Sequence, residues 1–153
     1  MTNHYNMLDI KVKTFQELST QELYDVLQLR SEVFVVEQDC VYQDIDGKDQ
    51  KALHVIGYKG NKVVAYARVF EPGYYFNEAS IGRVVVKDSE RDLNYGHDIM
   101  KASVAAVQRY YKVNTIKISA QTYLRRFYNN LEFYEVGEEY LEDGIPHIAM
   151  LRH

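Results

Sequence analysis

The chain has one cysteine, Cys40, so no internal disulfide is available to staple a fold. No apolar segment approaches the ~18 residues that a membrane-spanning helix needs, and the N-terminal MTNHYNMLDI lacks the basic start and apolar stretch of a secretory signal. These absences predict a cytoplasmic protein that does not enter a membrane. Basic charge is scarce as well. Eighteen Lys and Arg stand against 22 Asp and Glu, a formal charge of −4, which leaves no electrostatic footprint for nucleic acid or an anionic membrane. There is no repeat, linker or low-complexity segment, and no GxxxxGK(S/T) loop of the kind nucleotide phosphotransferases use. What remains is 153 residues, 46% of them hydrophobic. That is the size of one domain, which buries roughly two-thirds of its unfolded surface.

The informative stretch is Ile81 to Tyr111. Ile81, Val84, Val85 and Val86 have the composition of a buried strand. Lys87 to Asn94 breaks it. Beyond the break Ile99, Met100, Ser103, Ala106, Val107 and Tyr110 recur at helical spacing, which starts a helix near Tyr95. Between strand and helix lies RDLNYGH, Arg91 to His97, with Gly96 where the helix opens. Unpaired amides and the positive dipole end make such a helix start an anion site, and glycine lets a phosphate approach. Asn94 tolerates the left-handed backbone almost as glycine does. An ordinary turn before a helix would carry the same spacing.

In chain order, Leu8 to Lys13 alternates like a half-buried strand. Ser19 and Glu22 then fit a capping box, and Leu18 with Leu23 the accompanying staple. Leu23, Val26, Leu27, Arg30, Val33 and Phe34 continue a buried stripe. Leu53 to Tyr58 and Lys62 to Phe70 read as strands joined by a tight turn at Lys59-Gly60-Asn61. The aromatic Tyr74 to Asn77 reads as packing rather than pocket lining, since the chain has 14 tyrosines. Thr115 to Ala120 is a strand, Thr122 to Asn130 a short helix, Phe133 to Tyr140 a strand, Leu141 to Gly144 a turn and His147 to Leu151 the last strand. The order β-α-β-β-β-α-β-α-β-β predicts a mixed α/β layer with a parallel pair crossed by the central helix.

The segment Glu37 to Gln50 carries Glu37, Asp39, Asp44, Asp46 and Asp49 against Lys48, a local charge of −4. The D-x-D-G-x-D spacing invites a calcium reading, but an EF-hand loop counted from Asp44 needs glycine and glutamate where Asp49 and Val55 stand. No metal site is expected. The segment is either solvated surface or an electronegative mouth that draws a cationic substrate.

Arg91, Asn94 and Gly96 resemble the Q/R-x-x-G-x-G/A motif of the GCN5-related N-acetyltransferases (GNAT), with Asn94 in place of the first glycine. Gln121, Leu124, Phe127, Tyr128 and Phe133 resemble that superfamily's later N-x-x-A-x-x-F/L-Y-E-x-x-G-F segment, with Glu132 replacing its glycine. FVVEQDCVYQDID (residues 34–46) and EDGIPHIAM (residues 142–150) are similar to its ElaA-like branch. Together these cover nearly the whole chain.

The resemblance implies a single-domain α/β fold over residues 1–153, a mixed sheet with a splayed parallel pair of strands 4 and 5 and helices on both faces. It implies acetyl-CoA as cosubstrate, with coenzyme A contacts at Val84, Val85, Val86, Arg91, Asp92, Asn94, Tyr95, Gly96, His97, Gln121, Phe127 and Tyr128. Tyr128 stands at the position of the tyrosine that protonates the departing thiolate, a reasonable donor with its ordinary pKa near 10. Glu37 and His147 are candidates for the general base, and His54 is the reserve. The implied function is direct acetyl transfer, with no acyl-enzyme, to a primary amine of a small cationic molecule or basic peptide. The implication leaves room for a homodimer. The alternative is a catalytically silent acyl-CoA-binding domain that keeps the phosphate cradle without turnover.

Overall fold

The computed structural model describes residues 8–153. Its strands are β1 (Asp9–Thr14), β2 (Leu53–Lys59), β3 (Lys62–Phe70), β4 (Ala79–Val86), β5 (Ile116–Gln121), β6 (Tyr134–Glu142) and β7 (Ile145–Arg152). They form a seven-stranded sheet in the order β1-β2-β3-β4-β5-β7-β6. The helices are α1 (Thr20–Arg30), α2 (Tyr95–Ala106) and α3 (Arg125–Asn129). Among these residues no helix is long and apolar enough to cross a membrane.

Alternation along β3 sorts its side chains to two cores, as a period of two requires. Ala65, Ala67 and Val69 pack with Ile99, Met100 and Val104 of α2, while Tyr66 packs with Val26 and Leu29 of α1. The helices thus cover opposite faces of one sheet. The capping box at the start of α1 is formed: Glu22 N–H donates to Ser19 Oγ at 3.0 Å and Ser19 N–H to Glu22 Oε1 at 2.9 Å. Caps of this kind are worth about 1 kcal/mol.

The feature that positions the site is the β4–β5 pair. It is parallel and pairs only at Ala79 with Ile116 and Ser80 with Lys117, although β4 runs on to Val86 and β5 to Gln121. On its other side β4 stays paired to β3, with a register shift opposite Tyr66 and Arg68. Arg83 sits in that bulge with φ 49°. A bulge inserts an extra residue and increases local twist. Here it turns Val84 and Val86 toward the α2 core and Val85 toward the α1 core. The β5-facing backbone edge of β4 beyond Gly82 therefore has no strand partner.

The expected boundaries shift in several places. The first helix ends as α at Arg30 and continues to Glu37 in wider turns, with Gln38 N–H bonding Val33 O and Cys40 N–H bonding Val35 O across five residues. The short helix opens with a tight turn at Thr122–Leu124 before α3. The polar turn between the last strands is shorter than Leu141–Gly144: Leu141 and Glu142 belong to β6, and Asp143 and Gly144, both at positive φ, make the turn. Of the last two strands only β7 pairs with β5, so β6 lies at the sheet edge.

Candidate active site

Asn94 precedes α2 with φ 63°, the left-handed conformation that asparagine tolerates. The first bond back into the helix runs from Asp98 N–H to Asn94 O at 3.1 Å, so the amides of the opening turn, Tyr95 to His97, have no helical acceptor. Gly96 is where this turn meets the rest of the site. A Cβ there would lie 3.4 Å from Phe127 Cζ and 3.7 Å from Val86 Cγ2. Glycine thus keeps a groove open between α2, β4 and α3.

That groove is part of a cleft of about 600 Å³ between the splayed strands, within the size range of small-molecule sites. It brings together Val84, Val85, Val86, Arg91, Asp92, Asn94, Tyr95, Gly96, His97, Gln121, Phe127, Tyr128 and Glu37. Every coenzyme A contact implied by the sequence resemblance lies in this one cleft. Arg91 stands at its mouth, with Nη1 and Nη2 donating to the two oxygens of Glu37 at 2.6 and 2.9 Å and Nε to Val86 O at 3.1 Å. The Glu37 hydrogen bond leads the effects that raise the Arg91 pKa, so the guanidinium stays charged.

Tyr128 is 7% exposed and T-stacked on Phe127, with ring centres 5.0 Å apart. Burial raises its phenol pKa above the ordinary value. The side chain therefore holds its proton at neutral pH, as a donor to an anionic leaving group must.

His147 is buried but does not line the cleft. Nδ1 lies 2.7 Å from Ile145 O, Nε2 lies 3.4 Å from Glu142 Oε2, and the ring stacks on Tyr140. His54 is a structural residue. It is fully buried, with Nδ1 2.6 Å from Tyr66 Oη and Nε2 2.8 Å from Asp49 O. The carbonyl can only accept, so Nε2 carries the proton and Nδ1 accepts from the tyrosine. Burial lowers the His54 pKa and keeps the ring neutral.

The acidic segment does not form the electronegative mouth that its sequence suggests. Asp44 accepts from Arg30 Nε at 2.9 Å and Arg83 Nε at 2.7 Å; Asp49 from Arg30 Nη1 at 2.8 Å and Arg68 Nη1 at 3.0 Å; Asp46 from Arg68 Nη2 at 2.6 Å. Arg30 and Arg68 are 0% and 1% exposed. Three arginines thus balance three aspartates, and Glu37 is held by Arg91. Burial alone would raise the Asp49 pKa, but the bonds and charges of Arg30 and Arg68 outweigh it and hold the carboxyl below its ordinary range. Nor do these carboxylates make a calcium loop: among the described residues no group of three or more His, Cys, Asp or Glu could hold a metal ion.

Sequence reasoning missed Val33, Phe34, Gln38, Tyr123, Leu124 and Asn130 as lining residues. Gln38 and Gln121 bond across the cleft at 3.3 and 3.4 Å, and no local pattern marks a pair 83 positions apart. The ion network did leave a trace, an arginine inside each of two apolar runs: Arg30 in the α1 stripe and Arg68 in β3.

Comparison with known proteins agrees with this geometry. Residues 14–152 match the family described as an acetyltransferase (GNAT) domain. The chain is 41% identical to Protein ElaA of Escherichia coli K12 over 138 residues, covering 89% of this chain and 90% of that protein. Its fold is similar to the crystal structure of Escherichia coli ElaA, with TM-score 0.89 and 38% identity over 96% of this chain and all of that one. It is equally similar to an acyl-CoA N-acyltransferase from Pseudomonas aeruginosa, with TM-score 0.89 and 39% identity over 95% of this chain and all of that one. The splayed β4–β5 pair and its cleft are therefore those of an acyl-CoA-using acyltransferase fold, and the chain belongs to the GCN5-related N-acetyltransferase superfamily, in its ElaA-like branch.

Proposed function

We propose that this protein is an acetyl-CoA-dependent N-acetyltransferase that moves the acetyl group directly, without an acyl-enzyme, to a primary amine of a small cationic molecule or a basic peptide. The observation that carries the proposal is the convergence of three groups on one cleft: the unpaired edge of β4, the free amides opening α2, and the buried phenol of Tyr128. Bound acetyl-CoA supplies an activated acyl group and a thiolate leaving group. The residues fit it. The backbone of Val84 to Val86 offers an extended arm the hydrogen bonds that a neighbouring strand would make. Arg91, with the amides from Asn94 to His97, offers charge and donors to a pyrophosphate. Gly96 leaves room for its approach, and Asp92, Gln121 and Phe127 complete the walls.

Tyr128 Oη holds the proton that the leaving sulfur takes. The acceptor amine must lose a proton before attack, and Glu37 and His147 are the two bases of this proposal. An amine-dependent thiol-release assay tests the whole, with polyamines, amino sugars and lysine peptides as acceptors. Turnover whose pH profile loses its acidic limb in Glu37→Gln or His147→Ala identifies the base. Silence across the panel, with coenzyme A binding retained, would instead support an acyl-CoA-binding domain without turnover.

A further inference from the structure

A second hollow, of about 50 Å³, lies where β4 and β5 begin to part. Arg68, Phe70, Tyr75, Phe76, Ser119 and Glu142 line it, together with Ser80 to Gly82. Ser119 and Gln121 are two residues apart on β5 and so share a face. The first lines this hollow and the second the main cleft. The two concavities are therefore neighbours along one side of the strand gap.

Its chemistry differs from that of the cleft. Phe70 and Tyr75 stack with ring centres 5.6 Å apart, and Phe76 meets Tyr75 edge-on at 4.9 Å. The half-buried Glu142 carboxylate reaches into the same region, with Oε1 3.3 Å from Ser119 Oγ and Oε2 3.4 Å from His147 Nε2. Neither contact is close. Arg68, the nearest buried cation, is already committed to Asp46 and Asp49. Lys117 Nζ lies 4.9 Å from the centre of the Phe76 ring, so the chain itself rests a primary ammonium against this aromatic wall. One deeply buried lining hydroxyl is unpartnered: Ser80 Oγ, 3% exposed, has no hydrogen-bond partner among the described residues and can accept from an ammonium N–H, whereas the likewise unpartnered Arg68 Nε is a donor that a water satisfies. Unsatisfied polar atoms at such depth mark a place where a ligand or water completes the bonding. A space of about 50 Å³ takes a few groups of the size of water, which suits a narrow head such as a primary ammonium better than a branched one.

We propose that this hollow is the acceptor site, and that it takes a primary ammonium on a slim, unbranched alkyl arm, with Glu142 as counter-ion and Phe70, Tyr75 and Phe76 as the walls along the methylenes. The assignment rests on the N-acetyltransferase reading and names its substrate class. Glu142 takes the part that the sequence suggested for the acidic segment, whose carboxylates are neutralised by arginine.

Two measurements on the full chain test it. In the thiol-release assay n-butylamine and n-pentylamine should be better acceptors than tert-butylamine or a free amino acid. Glu142→Gln, which keeps the shape, should raise KM for the n-alkylamines about tenfold and leave KM for acetyl-CoA unchanged. An unchanged amine KM, or a branched or anionic best acceptor, overturns the assignment while leaving the N-acetyltransferase reading intact. If no amine is turned over, titration with n-butylammonium chloride still decides the question by amide NMR. Saturable shifts at Ser80, Gly82, Ser119 and Glu142 that vanish in Glu142→Gln support the site, and their absence in the unsubstituted protein overturns it.

Discussion

Glu37 and Arg91 form a two-pronged ion pair across the mouth of the cleft, at 2.6 and 2.9 Å, tying the end of the α1 extension to the loop before α2. The same guanidinium fork that suits a carboxylate suits a phosphate. Under the proposed function Glu37 and the cosubstrate's pyrophosphate therefore compete for Arg91. Glu37→Gln should tighten coenzyme A binding several-fold, because Arg91 no longer exchanges a carboxylate for the phosphate. Titration calorimetry reads this directly. Equal or weaker affinity in the folded variant would show that Arg91 keeps Glu37 and does not reach the cosubstrate.

The phosphate cradle is tested at Gly96. An added Cβ meets Phe127 at 3.4 Å, ordinary contact, so the fold should survive substitution. The branches of valine extend further into the groove. Gly96→Val should weaken coenzyme A binding about tenfold or more with little change in melting temperature, and unaltered affinity would remove these amides from the site.

Tyr128→Phe removes one oxygen and keeps the packing on Phe127 and Phe133. Turnover should fall about 100-fold or more while the KM for acetyl-CoA stays within a factor of a few. Unchanged turnover would reduce Tyr128 to a packing residue.

The buried ion network predicts stability rather than activity. Asp49→Ala leaves Arg30 and Arg68 each short of a carboxylate in the interior, and breaking such a pair from one side costs about 3–5 kcal/mol. For a chain of this size that lowers Tm by roughly 6 °C or more. A thermal melt shows it, and a shift below about 2 °C would mean that water relieves the arginines.

Buried His54 and Asp49 both contribute to the acid limb of stability, and their signs agree. Burial lowers the His54 pKa, so as pH falls below about 6.5 the unfolded chain binds a proton that the native ring refuses. Asp49 is also held low in the native state, and its contribution, full above the ordinary carboxylate range, is lost as pH falls below about 4. Stability measured by urea unfolding should decline in two stages, and His54→Gln should flatten the first. A profile that stays flat from pH 7 to 5 would contradict the burial of a neutral His54.

Local pattern was enough for much of this molecule. The capping box at Ser19 and Glu22, the alternation along β1 and the glycine-opened helix at Tyr95 are set by neighbours within a few residues, where periodicity and cap chemistry act. The RDLNYGH stretch and the segment around Tyr128 carry local signatures too, which is why the cleft's principal residues were legible in the sequence. Tertiary structure alone decided where the charges went. Asp44, Asp46 and Asp49 read as a solvated or substrate-facing run because their partners Arg30, Arg68 and Arg83 lie on other elements. Burial then made their pairing obligatory, since an unpaired charge in the interior costs several kcal/mol. The same holds for the hollow at Glu142, whose walls come from β3, the loop after it, β4, β5 and β6. No periodicity encodes a meeting of five segments; the splay of β4 from β5 creates it.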